Sequence, residues 1–117
     1  MKFICETAAL STACQNVQRA ISAKSSIPGT EGILIKAHNN ELNLTGYGPE
    51  ISINTSIYAK IEEQGDIIIN ARVLCEILRR IPNQTVTFEC DKRNFVVIRS
   101  GDIKYEIMGI SAEDFPE

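Results

Sequence analysis

A chain of 117 residues with net charge -3 is one ordinary domain's worth of protein, long enough to bury roughly two thirds of the surface that its unfolded form exposes. Its 44% apolar and 23% charged residues suit a soluble globular protein, and the absence of Trp leaves the core to Ile, Val, Leu and Ala. No run of about 18 apolar residues occurs, which excludes a membrane-spanning helix, and the opening MKFICETAAL has too short an apolar stretch for a signal peptide, so the expectation is a true N-terminus and a cytoplasmic protein.

The first predicted element is the strand KFICE, followed by a helix over residues 7–22 whose apolar positions Leu10, Ala13, Cys14, Val17, Ala20 and Ile21 form one stripe at helical spacing. After the loop SAKSSIPGTEG come the strands ILIKAH, ELNLTGY and EISINTSIY, the first two joined by an Asn-Asn tight turn, since Asn tolerates positive φ. KIEEQG reads as a polar link. The strand DIIIN then leads into a helix ARVLCEILRRI that Pro82 and Asn83 end. The strands QTVTFEC, NFVVIRS and DIKYEIMG follow, with Val86, Phe88 and Cys90, then Phe95 and Val97, expected on the core face. Both halves, residues 1–59 and 65–109, share the order strand, helix, strand, strand, strand. The predicted fold class is therefore α+β: two β-α-β-β-β units giving two helices packed side by side against antiparallel sheets.

Cys5, Cys14, Cys75 and Cys90 form no CxxC pair and His38 is the single histidine, so no metal site is predicted and the thiols read as reduced packing residues. No P-loop, Gly-rich phosphate cradle or paired-carboxylate motif is present, so no cofactor and no catalytic constellation are predicted. An enzyme built on Cys75, its thiol acidified by nearby arginines, is the one catalytic alternative, and it lacks a spaced base.

Charge is unevenly placed. On the second helix Val73, Leu74, Ile77, Leu78 and Ile81 are expected inward, with Arg72, Glu76, Arg79 and Arg80 outward. On the first, Thr12, Gln15, Asn16 and Arg19 are expected outward, with Lys24 just beyond. No acid occurs from residue 7 to 30. The two helical segments, 7–26 and 70–83, each carry +2, which leaves -7 on the rest. Helix-surface ion pairs and cations favoured at a helix C-terminus would account for part of this. A cationic face on an anionic body also suits weak, sequence-blind attraction to a phosphate backbone.

The segments MKF, ELNLTGYGPEISI, INARVLCEILRRIP, VVIRSGDIKYEI and the closing DFP, in that order, resemble the N-terminal domain of the bacterial DNA polymerase III beta subunit family, the sliding clamps, over essentially the whole chain. The resemblance implies a DNA-clamp fold and a replication processivity factor: a homodimeric, head-to-tail ring, three similar domains per subunit, helices lining a hole around double-stranded DNA and sheets outside. Such a clamp does no chemistry and tethers the replicative polymerase by topology. By the same resemblance Lys24, Arg72, Arg79, Arg80 and Arg19 would meet DNA, and Lys104, Tyr105, Ile107 and Arg93 would form the subunit interface. Asp102 departs from the basic residue that the family pattern leads one to expect in that hairpin. The chain would be the first of three domains, with the sites for DNA polymerase III and the clamp loader on the later, absent ones. The alternative is a protein–protein interaction module that uses the exposed C-terminal edge strand IKYEIMG.

Overall fold

A computed structural model describes residues 1–21 and 32–115. The elements are β1 (Lys2–Glu6), α1 (Thr7–Gln18), β2 (Gly32–His38), β3 (Glu41–Tyr47), β4 (Ser52–Tyr58), β5 (Lys60–Glu63), β6 (Gly65–Asn70), α2 (Ala71–Arg80), β7 (Thr85–Cys90), β8 (Phe95–Ser100) and β9 (Ile103–Met108), then a 3-10 turn at Ala112–Asp114. They build an α+β fold of two helices and two antiparallel sheets, ordered β5-β1-β7-β8-β9 and β4-β3-β2-β6. Each half gives its first strand to the other half's sheet: β1 pairs with β7, and β6 pairs with β2. Neither half can close a sheet alone, so one core serves both. At its centre Phe3 and Phe88 stack with ring centroids 4.7 Å apart.

Local chemistry fixes the corners. Asn39 and Asn40 turn the β2–β3 hairpin at φ of 53° and 60°, as the sequence predicts. α1 lies against β3 and β4. At Gly46 and Gly48 any side chain would collide with the carbonyls of Val17 and Ala20, so these two glycines let the end of α1 sit directly on the sheet.

Four expectations need correction. α1 ends at Gln18 and not at residue 22, because the amides of Arg19, Ala20 and Ile21 each bond three residues back and tighten the chain out of the α-helix. KIEEQG is not merely a link: Lys60–Glu63 forms β5 against β1, with Ile61 packed on the core and Lys2 drawn to Glu62 at 3.4 Å and Glu89 at 3.7 Å. On β8 the core face is Val96 and Ile98, not Phe95 and Val97, since Ile98 stands opposite Phe88 and Val96 opposite Cys90. On α2 Val73 is exposed and Cys75 is buried, because the stripe of Ala71, Leu74, Cys75 and Leu78 faces inward. The exposed reactive thiol that a Cys75 enzyme would need is therefore not there.

Candidate nucleic-acid interface

The second helix is built to display its polar side. Asn70 caps it, its Oδ1 accepting the Val73 amide at 3.0 Å. Ile81 turns extended ahead of Pro82, where the proline ring disfavours helical backbone. Between these stops the apolar stripe seats α2 in the core and leaves Arg72, Val73, Glu76, Arg79 and Arg80 exposed. Glu76 lies 3.6 Å from a guanidinium nitrogen of both Arg79 and Arg80. One carboxylate shared between two exposed arginines leaves a positive surplus, and such surface pairs are worth only about 0–1 kcal/mol each. Arg72 has no ion pair among the described residues.

α1 supplies a complementary stripe of Ala8, Ser11, Thr12, Gln15 and Arg19, polar except at Ala8 and without a carboxylate. The two helices pack side by side and antiparallel. At one end the Thr7 amide donates to the Gln84 carbonyl at 2.8 Å, and midway Cys14 abuts Cys75. Arg19 therefore belongs to the end where α2 starts, with Arg72, while Arg79 and Arg80 belong to the end where α1 starts. The stripes adjoin, since one open cleft is lined by Ala8 and Ser11 of α1 and by Arg79 of α2. Four of the five predicted DNA contacts thus share one helical layer, and Lys24 lies outside the described residues.

The four predicted interface residues are less gathered. β9 is the outer strand of its sheet. Tyr105 and Ile107 turn toward the core and are half-buried against it, while Lys104, Glu106 and Met108 alternate to the outside. Lys104 lies 3.5 Å from Glu106 and stands opposite Arg99. Arg93 sits in the β7–β8 turn, near the other end of β9, where the Gly109 amide reaches the Asn94 carbonyl at 2.7 Å. Asp102 lies in the β8–β9 turn, at the Lys104 end.

The buried thiols divide: the contact with Cys14, and then Arg79, lower the Cys75 pKa against the opposing effect of burial, but its sulfur is shut away from solvent, whereas Cys5 and Cys14 are held as neutral thiols. Burial pushes the Cys5 thiol up to about 12. Contact with Cys75, then burial, raises Cys14 as well.

Sequence reasoning missed two features. The cleft at the α1–α2 end joins residues about 70 to 80 apart in sequence and has no local signature. The open edge at β4 carries the exposed Ile51 and Tyr58, and an apolar residue at a strand end reads in sequence as core.

Paired antiparallel helices with adjoining cationic flanks, backed by two antiparallel sheets, define a DNA-clamp domain. The chain matches the family description "DNA polymerase III beta subunit, N-terminal domain" over residues 1–117 and belongs to that family. It is 32% identical over 124 residues to the beta sliding clamp of Bacillus subtilis, covering 99% of this chain and 33% of that one. It is 33% identical over 120 residues to the beta sliding clamp of Synechococcus elongatus, covering 100% and 32%. The crystal structure of the Bacillus subtilis DNA polymerase sliding clamp superposes with a TM-score of 0.96 at 31% identity, covering 100% of this chain and 33% of that one. This chain thus spans about a third of the length of the curated relatives it matches.

Proposed function

We propose that this unit acts as the first of three domains in a subunit of a homodimeric processivity ring. Its helix layer faces double-stranded DNA, and the ring tethers DNA polymerase III without reading sequence. DNA polymerase III and the clamp loader would engage segments outside this chain. Arg72, Arg79 and Arg80, with Arg19 and Lys24, would meet phosphates, and the β9 edge with Lys104, Tyr105, Ile107 and Arg93 would meet the next subunit. The observation that supports this reading is the adjoining of two exposed helical stripes whose described residues hold +3 (Arg19, Arg72, Arg79 and Arg80 against Glu76), in a chain whose other residues hold -6. Their low charge density and lack of aromatic side chains favour backbone attraction over base readout, which suits a protein that must slide.

Binding of a short duplex to this chain tests it. Wild type should bind weakly, in the range of about 10⁻⁴ M typical of non-specific contacts, with affinity falling steeply with salt. The Arg72→Glu, Arg79→Glu double variant should fold normally and lose measurable binding. A variant that binds like wild type at low salt would refute the helix-face reading.

A further inference from the structure

Of the chain's 15 acidic residues, Glu76 alone belongs to α1 or α2, and it stands among the arginines. Its carboxylate lies 3.6 Å from a guanidinium nitrogen of Arg79 and 3.6 Å from one of Arg80, and all three side chains are exposed. At that distance the contacts are ion pairs without a hydrogen bond, so they leave the N–H donors of both forks uncommitted to Glu76. Arg72 is four residues away on the other side, yet Glu76 pairs with the C-terminal arginines, the order that suits a helix. The helix itself has little need of this acid. Cations in a last turn are already favoured by the negative end of the helix dipole, and exposed pairs add little to stability.

We propose that Glu76 is an internal competitor for DNA: its carboxylate holds Arg79 and Arg80 when no phosphate is near and yields them to the phosphates of the duplex backbone. The proposal rests on the helix layer facing DNA. Carboxylate and phosphate offer a guanidinium the same chemistry, negatively charged oxygen acceptors. An arginine that leaves one phosphate therefore returns to a partner on its own helix and meets the next phosphate from there. The exchange is cheap in both directions, because an exposed pair is held so weakly. Glu76 also repels any phosphate that settles between the two arginines. Both effects lower the affinity and shorten each contact, which suits a protein that must slide. Arg72, which has no ion pair among the described residues, stays outside this control.

Binding of a short blunt duplex to the chain, read by fluorescence anisotropy across a salt series, tests this in four variants. Glu76→Gln keeps the shape and removes the charge. It should strengthen binding about three- to tenfold at low salt, in line with the release of two exposed ion pairs. It should also steepen the log–log salt dependence by about 0.9 for each phosphate newly held, a change that a merely structural role would not produce. Because the expected effect is a gain, loss of the fold cannot imitate it. Glu62→Gln makes the same change of net charge on β5, where Glu62 pairs with Lys2, and should alter binding less than about twofold. Arg79→Gln with Arg80→Gln should weaken binding, and adding Glu76→Gln to that pair should bring little gain, since nothing is left to compete for. Equal gains from Glu76→Gln and Glu62→Gln, or a full gain without the two arginines, would overturn the competition. If Glu76→Gln binds as wild type while the arginine pair weakens binding, the competitor falls and the helix face stands. If neither change has an effect, both readings fall.

Discussion

The helix layer and the β9 edge offer partners two different kinds of surface. The helix layer is closed as backbone along its length: its N–H and C=O groups are bonded within the helices except at their ends, and what it presents is the far ends of long charged side chains. Such a surface attracts a polyanion without fixing its register. β9 has side chains tied to the core on one face, at Tyr105 and Ile107, and one unpaired backbone edge. A strand edge recognises only what lies at one spacing and in one direction, and left open it invites pairing with another chain. One protein therefore carries a permissive surface and a demanding one, and the division suits the proposed ring, which would hold its own parts tightly and its cargo loosely.

The largest expected effects test the support that both surfaces share. Leu74 is fully buried beneath the arginine stripe. Leu74→Ala should cost about 2–5 kcal/mol in urea unfolding, whereas Val73→Ala, one residue away on the exposed side, should stay within about 0.5 kcal/mol. Equal costs at the two positions would mean that the helix is rotated from its described seat. Next in size, Tyr105→Ala should cost about 1–3 kcal/mol, as expected for a half-buried aromatic, and should abolish any self-association seen by sedimentation at high concentration. Self-association that survives the change would move the demanding surface elsewhere, with the β4 edge at Ile51 and Tyr58 the next place to look.

What could be read in advance follows the range over which each signal acts. The helices, eight of the nine strands and the Asn39–Asn40 turn were legible because their periodicities and turn residues are local. β5 was not, since KIEE offers one apolar residue and is a strand only because β1 lies alongside. The inward face of β8 was not, because Phe95, Val96, Val97 and Ile98 are all apolar and pairing with β7 alone selects between them. A helical wheel placed the arginines correctly yet put Val73 inside, since it cannot know which flank meets α1. The pairing of β1 with β7 and the Thr7–Gln84 contact join residues about 80 apart, that of β2 with β6 residues about 30 to 40 apart, and no window on the sequence spans them.

The smallest expected effect lies away from both surfaces and sharpens the contrast by being electrostatic yet structural. His38, on β2, has one ring nitrogen 2.8 Å from Gln64 Oε1 and the other 2.7 Å from Asp66 Oδ1. Two oxygen acceptors are satisfied together only by a doubly protonated ring, and the bond to Asp66, then that to Gln64, raises the His38 pKa above its ordinary 6.5, with Lys36 opposing. The clasp ties β2 to β6 and to the turn after β5. Because the folded pKa is raised, its stabilisation is complete below the ordinary value and is lost as pH rises through the folded one. The ring is nearly half exposed, so solvent screening keeps the contribution small. A His38 proton titration should show the raised midpoint, and Asp66→Asn should bring it down and flatten the decline in thermal midpoint across neutrality. Duplex binding should not change with the variant, since His38 projects from a sheet and not from the helix layer. A parallel loss of DNA affinity in Asp66→Asn would mean that the permissive surface extends beyond the helices.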